Sequence, residues 1–476
     1  MSVVTNTTTI GAIDLPSRRN TELALLGFAV AIPVFAYLNV GLAIDGKVPA
    51  GMLGYGIGLG LLAGIAHLLV RRFAKYADPI LLPLATLLNG LGLVLIWRLD
   101  QSPRIIARYD TFTPDAPKQL MYSAIGVALF LLVLMFLKDH RVLQRYTYIS
   151  MVVAVILLLL PLVPGLGSNV FGAKIWIKVG PFSIQPGEFA KIVIAVFFSG
   201  YLMVKRDALA LASRRFMGLY LPRGRDLGPI LTIWAVSLLI LVFENDLGTS
   251  LLFFGMFVIM LYVATERTSW IIMGLLMAVG GAVVVGSTAS HVKSRVAAWL
   301  DPFGCLETAP EGSNMAQACD QMTQVLMSFG SGGTLGTGLG QGNSDLIGFA
   351  ANSDFIFATV GEELGLAGVM AFLLMYALIV ERGIRTALAA RDPFGKLLAT
   401  GLSGAFALQI FVVAGGVMGL IPLTGMTMPF LAYGGSSVIA NWALIAILLR
   451  ISDTARRPAP APAPSPDAEM TQVVRP

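Results

Sequence analysis

The segment Phe243-Glu244-Asn245-Asp246-Leu247-Gly248-Thr249-Ser250 places two carboxylates between apolar runs at 230–243 and 251–264, with little loop between them. An ionised carboxylate at the membrane centre costs about 2.5–3.5 kcal/mol, and such residues default to functional candidates. A positioned carboxylate can take the proton of a weak nucleophile, such as a hydroxyl, as a new bond forms. The plain alternative is an acidic turn in water. Asp246 is the candidate base; Glu244 would stand behind it or be solvated.

Other polar groups recur at the ends of apolar runs. Trp176, Gln185, Glu188 and Lys191 lie within 172–191, and Glu188 and Lys191, three apart at a helix start, share one face. Arg295, Gln321, the glycine-rich run 330–342 (with Gly332 and Gly333) and Asp354 fall in one long polar segment. Glu362 follows inside an apolar helix; Thr424 precedes the last one, and Ser436 and Ser437 lie near its start. Where charge develops on a departing anion, cations or N–H donors should face it. Lys174, Lys178, Lys191 and Arg295 are the basic candidates, with Lys191 and Arg295 favoured because they sit within motifs. The glycine run lacks the Gly-Lys-Ser/Thr of a nucleotide loop and reads as a flexible loop.

These groups must be held by helices in a membrane. The chain has 476 residues, 56% of them hydrophobic, 13% charged, with mean hydropathy +0.79; soluble domains carry about 25% charged residues. Long uniform apolar runs imply an all-α polytopic protein rather than a barrel. Twelve spans are expected, near 22–43, 52–70, 79–97, 119–137, 146–163, 189–204, 230–243, 248–264, 270–287, 355–380, 397–418 and 429–450. Seventeen Lys and Arg follow the even-numbered spans and seven the odd-numbered ones. Both termini are therefore expected in the cytoplasm, with the polar motifs and a large loop near 288–354 outside. The net charge of +6 needs no nucleic-acid partner, since basic loops beside anionic lipid account for it. No cleavable signal peptide is expected. Residues 1–21 and the Pro/Ala-rich 452–476 read as disordered cytoplasmic tails around a membrane domain at 22–451.

Taken together, the motifs resemble the SEDS family of cell-wall proteins, which includes RodA and FtsW. The pieces stand in family order: Trp176-Ile177, Gln185-Pro186 with Glu188 and Lys191, Asp246-Leu-Gly-Thr249, Arg295 with Asp301-Pro302, and Gln321 with Gln324. They continue through Gly332-Gly333, Asp354-Phe355, Glu362-Glu363-Leu-Gly365, Pro422-Leu-Thr-Gly425 and Tyr433-Gly-Gly-Ser-Ser437. The match is strongest over 146–451, within a ten-helix core at about 79–451. Two further N-terminal helices resemble the actinobacterial RodA-like layout. Ser183 stands where many members carry Arg, and Gly187 where Ser or Ala is common.

The resemblance implies a peptidoglycan glycosyltransferase. It would polymerise lipid II into a nascent glycan strand at the outer face of the cytoplasmic membrane, releasing undecaprenyl pyrophosphate, in elongation and shape. It implies that Asp246 is catalytic and that a class B penicillin-binding protein is the partner. The other motif residues named above become substrate-binding candidates. A divalent cation, Mg or Mn, would serve the leaving pyrophosphate, but no ligand cluster in the sequence establishes one. A lipid II flippase and an FtsW-like division polymerase are the alternatives, as is a scaffold that only recruits the transpeptidase. No inverted repeat with paired broken helices, the usual mark of a transporter, is visible.

Cys305 and Cys319, fourteen residues apart in the outer loop, are expected to form a disulfide. His67, His140 and His291 are scattered and make no metal site.

Overall fold

The computed structural model describes residues 17–107, 112–170, 173–180, 182–211, 214–216, 219–221, 235–236, 246–348 and 350–458. The chain opens with α1 (Arg19–Asp45), α2 (Met52–Phe73), α3 (Leu81–Asp100), the short α4 (Pro103–Ala107) and α5 (Ala116–Phe136). A 3-10 turn (His140–Tyr146) leads into α6 (Thr147–Leu159). Strands β1 (Gly167–Val170), β2 (Ala173–Val179) and β3 (Phe182–Ile184) come next, then α7 (Pro186–Leu211) and a small pair, β4 (Arg214–Phe216) and β5 (Leu219–Leu221). The second half holds α8 (Leu247–Thr265), α9 (Thr268–Thr288), α10 (Ser290–Leu300), α11 (Pro302–Thr308) and α12 (Asn314–Gly332). It closes with α13 (Ile356–Ala389), α14 (Pro393–Val417) and α15 (Gly435–Arg456).

Eleven helical segments are long and apolar enough to cross a membrane, among the described residues. The expected span at 230–243 and Glu244 lie almost wholly outside those residues. The bundle is a polytopic all-α membrane fold. Its centre is α15, almost entirely buried and packed chiefly against α5; α3 and α14 are also mostly buried, while α2, α6 and α9 turn most of their apolar surface outward. An apolar helix is stable on either side of that division, because in lipid only the backbone needs internal partners.

Several boundaries differ from expectation for identifiable reasons. The first helix starts at Arg19, not 22, because Arg19 is buried, pairs with Glu22 and donates to the Ala77 carbonyl, while Glu22 also meets His67 at 2.7 Å. The last starts at Gly435, not 429. Residues before it are fixed by tertiary bonds instead, Tyr433 N–H to the Asn352 carbonyl (2.8 Å) and Gly434 N–H to Gln119 Oε1 (3.2 Å). It also runs to Arg456, past the expected edge at 451.

The segment between α6 and α7, expected as loop, is an antiparallel sheet in the order β1-β2-β3, with Ser168 opposite Trp176 and Lys178 opposite Ser183. Lys174 and Lys178 are exposed and Ile177 is buried, the alternation a half-buried strand requires.

The glycine-rich run is ordered. Helix α12 extends to Gly332, and the following loop is stitched to a break in α13 at Gly365, whose φ of 64° suits glycine. Thr337 and Gly338 donate to the carbonyls of Glu362 and Glu363 (2.9 and 3.0 Å), and Leu366 and Ala367 donate back to Gly333 and Thr334 (2.9 and 3.1 Å). The backbone groups freed by the break are thereby satisfied, as membrane depth demands.

The two ends of the bundle differ. One gathers Arg71, Arg72, Arg141, Arg382 and Arg456; the other gathers the sheet, the glycine loop and the head of α8.

Candidate active site

Asp246 is the N-cap of α8. Its Oδ1 accepts from the Thr249 N–H at 2.9 Å and its Oδ2 from the Thr249 hydroxyl, so the Asp-Leu-Gly-Thr spacing is a cap with a side-chain return. Capping alone needs no burial, yet Asp246 is only 6% exposed. Gly248 fits because a Cβ there would strike the Met426 side chain, which brings the head of α8 against the loop after α14.

That loop also holds Arg295. From α10 its Nη1 donates to the carbonyls of Leu423 (3.3 Å) and Thr424 (2.9 Å), while Trp299 on the same helix donates to the Gly419 carbonyl at 2.8 Å. Thr424 is buried between Arg295 and the head of α8.

Arg295, His291, Gln317, Gln321, Asp354 and Leu423 are among the residues lining a cavity of about 230 Å³. It is enclosed by α10, α12, the approach to α13 and the loop after α14.

Burial raises Asp246 above the usual carboxylate range, opposed by both Thr249 hydrogen bonds and Arg295 and reinforced by Glu188. Burial likewise raises Asp354 to about 6, with Arg295 pulling down and Asp246 pushing up. Burial and then Arg295 lower His291, which keeps it neutral near pH 7. Two carboxylates and one guanidinium thus share one field. Burial makes each carboxylate a better proton acceptor than a solvated aspartate.

Glu188 and Lys191 form a second, fully buried group beside this one. The Lys191 ammonium donates to Glu188 Oε2 (2.6 Å), Gln409 Oε1 (3.0 Å) and Asn441 Oδ1 (3.1 Å), which occupies all three N–H bonds. Gln409 then donates to the Thr427 carbonyl (3.0 Å), and Asn441 to Ser437 Oγ (3.2 Å). Ser436 Oγ accepts from the Gln185 N–H at 2.8 Å, tying the end of the sheet to the start of α15. Lys191 therefore braces α7, α14 and α15, and Arg295 is the cation at the cavity.

Gly332, Gly333 and Glu362 stand elsewhere. Gly332 packs on the Gly361 carbonyl, Gly333 accepts from Leu366, and Glu362 Oε1 accepts from the Asn343 N–H at 2.8 Å. With Glu363, which pairs with the buried Arg98 and accepts from the Gly340 N–H (2.9 Å), they lock the glycine loop. Trp176 lies half-buried on β2, and none of these residues lines the cavity.

Sequence reasoning passed over His291, Gln317 and Trp299. The signal was present: His291 and Arg295 are four apart on α10, and Asn314, Gln317 and Gln321 form a polar stripe at helical spacing on α12.

Among the described residues no group of three or more His, Cys, Asp or Glu is placed to hold a metal. Asp246 and Asp354 share their field with a guanidinium, which does not suit a divalent cation. Cys305 and Cys319 are joined, Cα atoms 5.9 Å apart, closing α11 onto α12.

A family profile described as cell cycle protein, covering FtsW, RodA and SpoVE, matches residues 79–457. The chain is 49% identical over 445 residues to the peptidoglycan glycosyltransferase RodA of Mycobacterium bovis, covering 93% of this chain and 92% of that protein. It is 33% identical over 384 residues to stage V sporulation protein E of Bacillus subtilis, covering 80% and 98%. One similar solved structure belongs to a peptidoglycan synthase complex that coordinates polymerization and crosslinking (TM-score 0.61, 23% identity, 80% of this chain and 99% of that chain). Another is the rod shape determining protein RodA of Thermus thermophilus (TM-score 0.53, 22% identity, 80% and 98%). These structural likenesses establish the fold.

Proposed function

This chain belongs to the FtsW/RodA/SpoVE family, and from that membership we propose that it polymerises lipid II into glycan strands during elongation. The basic end of the bundle faces the cytoplasm, with both termini there, and the Asp246 end faces outward, in keeping with the charge rule. A class B penicillin-binding protein is the partner that crosslinks the product.

The observation that carries this reading is the burial of Asp246 within electrostatic reach of Arg295 and Asp354, two residues that line the polar cavity. In the reaction a sugar hydroxyl attacks the anomeric carbon of a lipid-linked saccharide. The new C–O bond forms as the bond to pyrophosphate oxygen breaks. Asp246 in its ionised form accepts the hydroxyl proton, and its raised pKa makes it a stronger base than a solvated aspartate. The electron pair leaves with the pyrophosphate, whose growing charge Arg295 faces. The Leu423 and Thr424 carbonyls fix that guanidinium before substrate arrives, so little reorganisation is needed.

Purified protein with its cognate penicillin-binding protein and labelled lipid II tests the reading. Wild type is expected to make long strands and Asp246→Asn none. Asn retains the helix cap, so a monodisperse variant that still polymerises removes Asp246 from the chemistry. Strands from neither, with the complex assembled, would favour a flippase or a scaffold.

A further inference from the structure

At the basic end, a pocket of about 500 Å³ lies where four elements meet. Ser17 and Arg18 come from the approach to α1, and Tyr76, Ala77, Pro79 and Ile80 from the link between α2 and α3. Arg382 and Arg385 come from the end of α13, and Arg456 from the end of α15. The lining holds four guanidinium groups and no carboxylate.

Two acids stand behind this wall. Asp78, fully buried, accepts from Arg456 at 2.7 Å, lies 3.9 Å from Arg382, and also accepts from the Ile80 N–H (2.9 Å). Glu381 meets Arg382 at 3.1 Å and pairs with Arg385. Asp78 and Glu381 cannot neutralise four cations. They aim the guanidinium groups and leave a surplus positive charge facing the cavity. Arg71, Arg72 and Lys75 lie exposed at the same end without lining it, as ordinary basic flanks do.

The surroundings identify the class of anion. Arg385 continues an outward strip on α13 in which Ile384 is 48% and Leu374 61% exposed, so the pocket opens beside apolar, lipid-facing surface. A soluble anion has no use for that strip, whereas an acyl chain does. Basic pockets between spanning helices suit phosphate headgroups, and arginine suits phosphate oxygens bidentately.

We propose that this pocket is a binding site for an anionic phospholipid, its phosphate on Arg382, Arg385 and Arg456 and its chains along α13. Calling the leaflet cytoplasmic rests on the orientation proposed above; the site itself does not.

Native mass spectrometry of the full chain in detergent, titrated with cardiolipin, tests the proposal. The double variant Arg382→Gln/Arg385→Gln is expected to bind about thirtyfold more weakly, at roughly tenfold or less for each cation lost. Arg71→Gln/Arg72→Gln is expected to match wild type. Equal weakening in both variants would reduce the effect to general surface charge and overturn the site. Full competition by inorganic pyrophosphate would make the ligand a soluble anion, and equal binding of phosphatidylcholine would remove the role of charge; either overturns the proposal. Arg382→Gln alone, which leaves the Glu381–Arg385 pair intact, supplies a second variant if the first is not monodisperse, with intermediate weakening expected and binding equal to wild type overturning the site. Binding in micelles is read without polymerisation or orientation, so its failure and theirs are separable.

Discussion

Arg295 and Thr424, 129 residues apart in sequence, meet through a 2.9 Å bond from guanidinium to carbonyl, and Thr424 in turn abuts the head of α8. The cation of the site is therefore positioned by backbone, independently of either carboxylate.

Arg295→Lys keeps the charge but loses the planar guanidinium whose Nη1 bridges the Leu423 and Thr424 carbonyls while its other N–H groups stay available to an anion. Polymerisation is expected to fall about 10²-fold, with thermal unfolding changed by only a few degrees. A near-normal rate would mean that charge alone suffices there.

The acidic limb of the pH–rate profile should lie above the range of a solvated aspartate, because Asp246 acts ionised and burial raises its pKa. Glu188 pushes in the same direction. Glu188→Gln removes that push and leaves the Lys191 charge less balanced, so both effects lower the Asp246 pKa. The limb is then expected to move to lower pH; a limb that stays in place or moves up would separate Glu188 from Asp246.

Gly365→Ala is expected to destabilise by about 1–3 kcal/mol. The left-handed backbone disfavours a Cβ, and that Cβ would also meet the backbone of Thr334 to Gly336. Thermal melts should show the loss, and Gly64→Ala, at a helical glycine with open space for a Cβ, should not.

Cys305→Ser/Cys319→Ser opens the link between α11 and α12. The chain-entropy argument for a loop of about 15 residues gives roughly 3 kcal/mol. A lower melting temperature is expected for the variant, and for wild type under reductant. Identical melts and identical peptide maps with and without reductant would contradict the pairing.

The helices were legible because lipid imposes length and apolarity on each span separately. Asp246 stood out as a candidate for a related reason, since a charge between two such runs conflicts with its surroundings. Lys191 was not. Its spacing from Glu188 gave one partner, but Gln409 and Asn441 lie 218 and 250 residues away, and only packing brings them together. The β2 strand was hidden by flanking Gly and Pro that signal a loop, although Lys174, Trp176 and Lys178 alternate with Ile175, Ile177 and Val179. The glycine run looked flexible because glycine permits many conformations. Its order comes from carbonyls of another helix, which local sequence does not encode.

The break at Gly365 also changes what α13 is mechanically. Its first nine residues, Ile356 to Leu364, are bolted to the glycine loop and, through Glu363, to Arg98 at the end of α3. Asp354 sits just ahead of that short piece, and Gln321 on the helix that feeds the loop. The cavity is thus tied to the first half of the chain: Arg98 on α3, through Glu363, braces the short piece that follows Asp354, and the longer remainder of α13 is anchored to the same loop at Leu366 and Ala367.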